Sequence, residues 1–496
     1  MHHGGASCQR WFPLACETSS FPPDVRVTRL VGVDLEGLAA GPAGGGERTA
    51  VKQRRSRVPP VAVGGTLLAA LRHDGRYGLW TLRGAAPEVV VPLVEVAAAH
   101  QVLPIVRDAL IAAQVLGTAR GRTGAGVQPE RDAPGGSVPA LEPAQAEIAV
   151  ELARVTRQVE SAVVGAVAQH LRVCAELAQI VPLLDDLNVA WAIVKGPALA
   201  ALAYPRPELR PYGDIDVLVG PQDFGAVVAA LEDAGAVLLD RNWSYLEANG
   251  RCEVSMRLRH GTYLDLHWHL VNNAHARGAF RLDTDALLER RRVLDIGGRA
   301  ISTLDATDTL LHVALHATFS GGHRLSWVKD VERLVAVSDL DWDAVVRRSL
   351  ASRTGPAVGV LLQRARRLLD APVPTEVLAA LAHPRAEALG LRAVERLATP
   401  SSLVGTHHTG QLLLLTARAD TRSSARALLT ELRRKAHGRF GTAGQKPESA
   451  STDPDRDPAA RRRYLDHLAD HGEAKGAEPE RPRRTAASAT GPRWRS

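Results

Sequence analysis

The chain has 496 residues, a formal net charge of +7, 45% hydrophobic residues and only 4% aromatic ones. That length allows about two or three domains with sizeable cores, and its Ala-, Val- and Leu-rich composition favours helices packed through small side chains. No apolar run approaches the roughly 20 residues of a spanning helix and no opening segment has a signal-peptide layout, so a soluble, cytoplasmic protein is expected. Cys8, Cys16, Cys174 and Cys252 have neither the spacing of a zinc site nor the density of a disulfide scaffold, which predicts reduced thiols.

Residues 1–145 are punctuated by Gly and Pro, with a flexible connection at Gly41-Pro42-Ala43-Gly44-Gly45-Gly46 and a linker over residues 120–136. Within them, Val61-Ala62-Val63-Gly64-Gly65-Thr66-Leu67 reads as a strand-to-helix glycine turn of a small accessory domain, or as sequence outside the core, since no Asp-x-Asp follows it within reach. From about Pro143 to Leu187, apolar residues recur at helical spacing, as at Ile148, Leu152, Val155 and Val159. A core over residues 146–304 follows from this helical lead-in and the segments after it.

Ala192-Ile193-Val194 predicts a short strand running into Lys195-Gly196, and residues 198–203 a small helix. A glycine turn opening a helix presents backbone N–H groups and partial positive charge to a phosphate. Pro197 suits the first helical turn, where its missing N–H is harmless. Lys195 and Arg210 are the cations expected to face the phosphates. Next, Asp214-Ile215-Asp216-Val217-Leu218-Val219 reads as a strand with both carboxylates on one face. Two such carboxylates repel unless a cation lies between them, and hard oxygen ligands favour Mg²⁺ or Mn²⁺. After a turn at His260-Gly261, residues 262–270 alternate as a strand that puts Asp265, His267 and His269 on one face. Asp265 would then complete a triad able to hold two ions roughly 3.5–4 Å apart.

These segments resemble a family. Val194-Lys195-Gly196-Pro197-Ala198-Leu199, then Arg210-Pro211-Tyr212-Gly213-Asp214-Ile215-Asp216-Val217-Leu218-Val219, then Leu264-Asp265-Leu266-His267-Trp268 are similar to the uncharacterised nucleotidyltransferase family of the DNA polymerase β superfamily. The resemblance spans about residues 170–340, where Leu310-Leu311-His312-Val313-Ala314-Leu315-His316 and Leu325-Ser326-Trp327-Val328-Lys329-Asp330 look like its helical follow-on. It implies an α+β fold, a nucleotidyltransferase-like mixed sheet with flanking helices, and a metal triad at Asp214, Asp216 and Asp265. Pro197 departs from the wider superfamily, where a serine follows the glycine, so phosphate binding by Lys195, Gly196 and Arg210 is an inference from position. The expected reaction is Mg²⁺- or Mn²⁺-dependent transfer of a nucleoside monophosphate from an NTP to an acceptor. The rival readings are an inactive nucleotide-binding regulator and a toxin-like enzyme restrained by a partner protein.

Downstream, Asp305 is placed to cap a helix running to about Ala317 with Asp308 at its third position, opening a helical region over residues 305–441. His312 and His316 have the spacing of a zinc helix, but Val313 stands where a metalloprotease needs its glutamate, so packing or substrate lining is expected. His267 beside Asp265 reads either as an orienting partner of a metal-bound carboxylate or as a histidine satisfied by backbone. Trp268 and Trp327 are expected in the core. Residues 442–496 read as a disordered, solvated tail despite Arg461-Arg462-Arg463 and Arg481-Pro482-Arg483-Arg484. With no basic stripe over residues 190–270, the acceptor is expected to be a small molecule, a protein side chain or an RNA end, not duplex DNA, and no membrane partner is expected.

Overall fold

The computed structural model describes residues 60–72, 87–113, 143–272, 274–320, 324–382 and 457–476, with isolated positions at 115, 322, 418, 422, 424–426 and 429. The glycine run at 41–46, the linker at 120–136, Cys8 and Cys16 lie outside the described residues, whereas Cys174 and Cys252 are free thiols. All described elements fall in one unit, Ser56–Ser496.

Helices come first: α1 (Pro60–Leu71), α2 (Pro87–Ala99), α3 (Leu103–Ala112) and the 44-residue α4 (Pro143–Asp186). The Gly64-Gly65 pair expected to make a strand-to-helix turn instead lies inside α1, where Val63, Leu67, Leu68 and Leu71 are buried. Helical spacing of those apolar residues overrides the local preference of two glycines.

The core continues through β1 (Trp191–Ile193), α5 (Gly196–Ala203), β2 (Asp214–Val219), α6 (Phe224–Asp233), β3 (Val237–Leu238), α7 (Trp243–Ala248), β4 (Glu253–Arg257), β5 (Tyr263–His267), α8 (Ala274–Arg277), α9 (Thr284–Glu289), β6 (Arg292–Ile296) and β7 (Arg299–Thr303). The strands form one mixed seven-stranded sheet in the order β3-β4-β5-β2-β1-β7-β6. β2 runs parallel to β5 and β1 to β7, while the remaining neighbours are antiparallel. Ile215, Val217 and Val219 turn to the face covered by α6 and the second half of α4, packing on Val173, Leu177, Ile180 and Leu184. The opposite face carries Asp214 and Asp216, as alternation requires.

The helical region follows as α10 (Ala306–Phe319), α11 (Leu325–Val337), α12 (Trp342–Ala351), α13 (Gly355–Leu369) and α14 (Thr375–Ala380). Asp305 caps α10 by accepting from the Asp308 N–H at 2.7 Å, as the sequence predicts. This region shares one hydrophobic core with α1, α2 and α3, through residues such as Leu71, Leu93, Leu110, Leu310, Val331 and Leu361.

The last element, α15 (Pro458–Gly476), is a helix where the sequence suggested a disordered tail, and residues 442–456 and 477–496 of that tail lie outside the described residues. Ala460, Tyr464 and Leu468, each four residues apart on one helix face, are buried in the sheet's core. Tyr464 Oη donates to the Arg251 carbonyl at 2.7 Å and accepts from Trp268 Nε1 at 2.9 Å. Arg461 pairs with Glu232 and Arg463 with Glu247, so these arginines belong to a docked helix and not to a solvated run.

Candidate active site

Three adjacent strands build the site from one repeated rule. In the β2–β5 register Asp216 stands opposite Asp265, and in the β4–β5 register Asp265 stands opposite Ser255 and His267 opposite Glu253. Opposed residues of neighbouring strands project from the same face, so Ser255, Asp265 and Asp216 form one rung, with Glu253 and His267 on the next. Ser255 Oγ donates to Asp265 Oδ1 at 2.6 Å. His267 presents Nε2 to Asp216 Oδ1 at 3.2 Å and Nδ1 to Glu253 Oε2 at 3.4 Å.

Asp216 has no solvent exposure, and its Oδ2 is buried with no hydrogen-bond partner. Burial alone would push its pKa up, but the Lys195 ammonium and the His267 ring hold it far below the usual carboxylate range. Burial opposes the charge on His267 too, yet its bond to Asp216 and the nearby Glu253 raise it to about 10. Burial raises Asp265, with the Ser255 hydrogen bond offsetting part of the effect. Burial also raises Glu253, against the pull of His267. Asp214 is raised by burial and then by the negative charge of Asp216, two residues along the same face.

One donor atom each from Asp216, Asp265 and His267 lies within 4.8 Å of the other two, close enough together to hold a metal ion. Asp214 is outside that group of three. A buried carboxylate oxygen with no partner is costly unless a cation or donor meets it, so these residues fit a divalent ion. Glu253 and Ser255 are the members that sequence reading missed. The alternation Glu253-Val254-Ser255-Met256 marked a half-buried strand, and pairing it with β5 across the turn at Gly261 would have found both. His269, expected on the strand face, lies beyond the end of β5 and accepts from the Val271 N–H at 2.9 Å.

The glycine turn sits against this face. Gly196 opens α5 at φ +47, and a Cβ there would lie 2.8 Å from the Asp214 carbonyl oxygen. Close approach of the turn to β2 therefore requires glycine at this position. Lys195, just before it, places Nζ 2.7 Å from Asp216 Oδ1. Burial lowers its pKa, but Asp216 more than compensates and keeps it charged. Arg210 is turned elsewhere. Its Nε and Nη2 donate to the two oxygens of Asp330 at 2.9 and 3.1 Å, and its Nη1 reaches the Gly196 carbonyl at 3.4 Å. Tyr204 Oη donates to the same Asp330 at 2.7 Å. Arg210 thus ties α11 to the turn, and its guanidinium is engaged by protein atoms where the sequence predicted a phosphate ligand.

His312 is buried with Nδ1 3.3 Å from the Val194 carbonyl, and it stacks edge-on to His316, which meets Trp327. Burial, followed by the Lys195 charge, lowers both rings to about 3. Both rings are thereby held neutral, His312 against Val194 and His316 between His312 and Trp327. Trp327 is half-buried with Arg324 over its ring, while Trp268 packs beneath Arg277.

Among the described residues no helix is long and apolar enough to cross a membrane. No curated protein matches the chain in sequence. The model of a family described as uncharacterised nucleotidyltransferase matches residues 91–370, more than half of the chain, and the protein belongs to that family.

Proposed function

We propose that the protein transfers a nucleoside monophosphate from an NTP to an acceptor in a metal-dependent reaction that releases pyrophosphate. The observation that carries this reading is the buried Asp216, with its unpartnered oxygen, facing Asp265 beside a glycine turn that opens a helix. Asp216 and Asp265 would hold the ion, with Asp214 adding a third carboxylate on the same face. A divalent cation there supplies Lewis-acid polarisation and a lowered pKa for a nearby hydroxyl. Transfer forms a bond from the acceptor oxygen to the α-phosphorus and breaks the bond to the bridging oxygen of pyrophosphate. Asp265, whose pKa burial has raised, is placed to take the acceptor proton. Lys195 shields Asp216 and is the side chain able to turn toward the triphosphate, while Arg210 holds the turn from behind. Phosphoryl transfer depends mainly on such positioning and charge stabilisation.

Over residues 190–270 the mixed charges suit a triphosphate and a small-molecule, protein or RNA-end acceptor better than duplex DNA. The test is incubation with each α-labelled NTP, Mg²⁺ or Mn²⁺ and separate acceptor pools. Label carried to an acceptor together with pyrophosphate release is expected. Nucleotide binding with no pyrophosphate release would instead identify a regulator.

A further inference from the structure

We infer that on metal entry His267 releases its Nε2 proton to solvent and binds the ion directly through that nitrogen, backed by Glu253, so that the site takes a transition ion such as Mn²⁺ ahead of Mg²⁺. The inference rests on the metal-dependent reading above and adds the nature of the ligand set and of the ion. Four observations converge. His267 belongs to the compact donor group with Asp216 and Asp265, its Nε2 facing Asp216 Oδ1 at 3.2 Å, while Asp214 does not belong to it. The opposite ring nitrogen faces Glu253 at 3.4 Å, the outer carboxylate that fixes ring orientation in metal-bound histidines. Asp216 Oδ2 is buried and unpartnered within the same group. Asp265 Oδ1 is engaged by Ser255, which fixes how that carboxylate is presented.

Ligand chemistry then selects the ion. Mg²⁺ is a hard cation that prefers an octahedron of oxygens and keeps much of its water. An imidazole is a softer donor, suited to first-row transition ions, and Mn²⁺ is the one of them that shares with Mg²⁺ a preference for carboxylate and water oxygens. Two carboxylates with one imidazole therefore favour Mn²⁺ over Mg²⁺ by a wider margin than a purely carboxylate triad would.

The experiment titrates Mn²⁺ into the full chain by electron paramagnetic resonance, with Mg²⁺ as competitor. Pulsed measurements then look for ¹⁴N modulation from a directly bound imidazole. Wild type is expected to show ¹⁴N modulation and to bind Mn²⁺ at least about tenfold more tightly than Mg²⁺. His267→Gln should lose the modulation and about tenfold or more of Mn²⁺ affinity, with less effect on Mg²⁺. Glu253→Gln, which leaves the ring in place, should weaken Mn²⁺ binding by about tenfold and alter the nitrogen coupling. That variant and the wild-type spectrum decide the matter even if His267→Gln fails to fold. Tight Mn²⁺ binding without ¹⁴N modulation in wild type would overturn the histidine ligand and leave the metal-dependent reading standing. Absence of any Mn²⁺ or Mg²⁺ binding that Asp216→Asn removes would overturn both.

Discussion

Asp216, Lys195 and His267 form an ionic cluster in which every pKa depends on its neighbours. Asp216→Asn keeps the side chain's size but removes the ligand charge, so nucleotidyl transfer should fall by at least about a hundredfold. Circular dichroism should show the fold retained. Gly196→Ala is expected to act on stability, because the new methyl meets the Asp214 carbonyl and the residue must hold φ +47. A loss of about 2 kcal/mol in urea unfolding is expected. Asp330→Asn removes a buried charge from its pair with the half-buried Arg210 guanidinium and should cost about 3 kcal/mol. The two deep histidines give a pH signature. His312 and His316 titrate at about 3 when folded, against an ordinary value of 6.5. The unfolded chain therefore binds protons first as pH falls, so their contribution is complete above pH 6.5 and is lost progressively toward pH 3. The urea midpoint should drop between pH 7 and pH 5, and His316→Gln should flatten that drop.

At the scale of elements, α15 makes the sharpest departure from what the sequence suggested. Its buried residues are Ala460, Tyr464 and Leu468, set among Arg, Asp and His, so average composition hides a correctly spaced face. Removing residues 457–496 should expose Trp243 and Phe224 and lower stability by about 3–5 kcal/mol, read as a clear fall in melting temperature. The strands of the site were far more legible. Alternation placed Asp214 and Asp216 on one face of β2 and put Asp265 on a strand after Gly261. What alternation could not give was register: the pairing of Asp216 with Asp265, and of Glu253 with His267, is a property of neighbouring strands. The Arg210–Asp330 pair was illegible for the same reason, since 120 residues separate its partners and each has an ordinary local context.

For the whole molecule, the α+β architecture with a mixed sheet and helical follow-on was readable from the order of periodic segments. The family match is broader than the stretch that carried the resemblance. It begins at residue 91 and so takes in most of α2 and all of α3, which residue patterns had assigned to an accessory region. Those helices share a core with α10 to α13, and nothing short of tertiary packing reveals that partnership. The sheet itself is uneven. β1 has three residues and meets β7 at one register pair, Ile193 with Thr303, reinforced by the Thr303 hydroxyl on the Ile193 carbonyl at 2.7 Å. The β6–β7 hairpin is therefore joined to the strands of the candidate site by a narrow seam, and opening at that seam breaks few backbone bonds. In deuterium-exchange mass spectrometry, amides of residues 292–303 are expected to exchange sooner than those of residues 214–219 and 263–267. The carboxylates are expected on the slow side of that boundary, so that breathing at the sheet's edge would leave the distance between Asp216 and Asp265 unchanged.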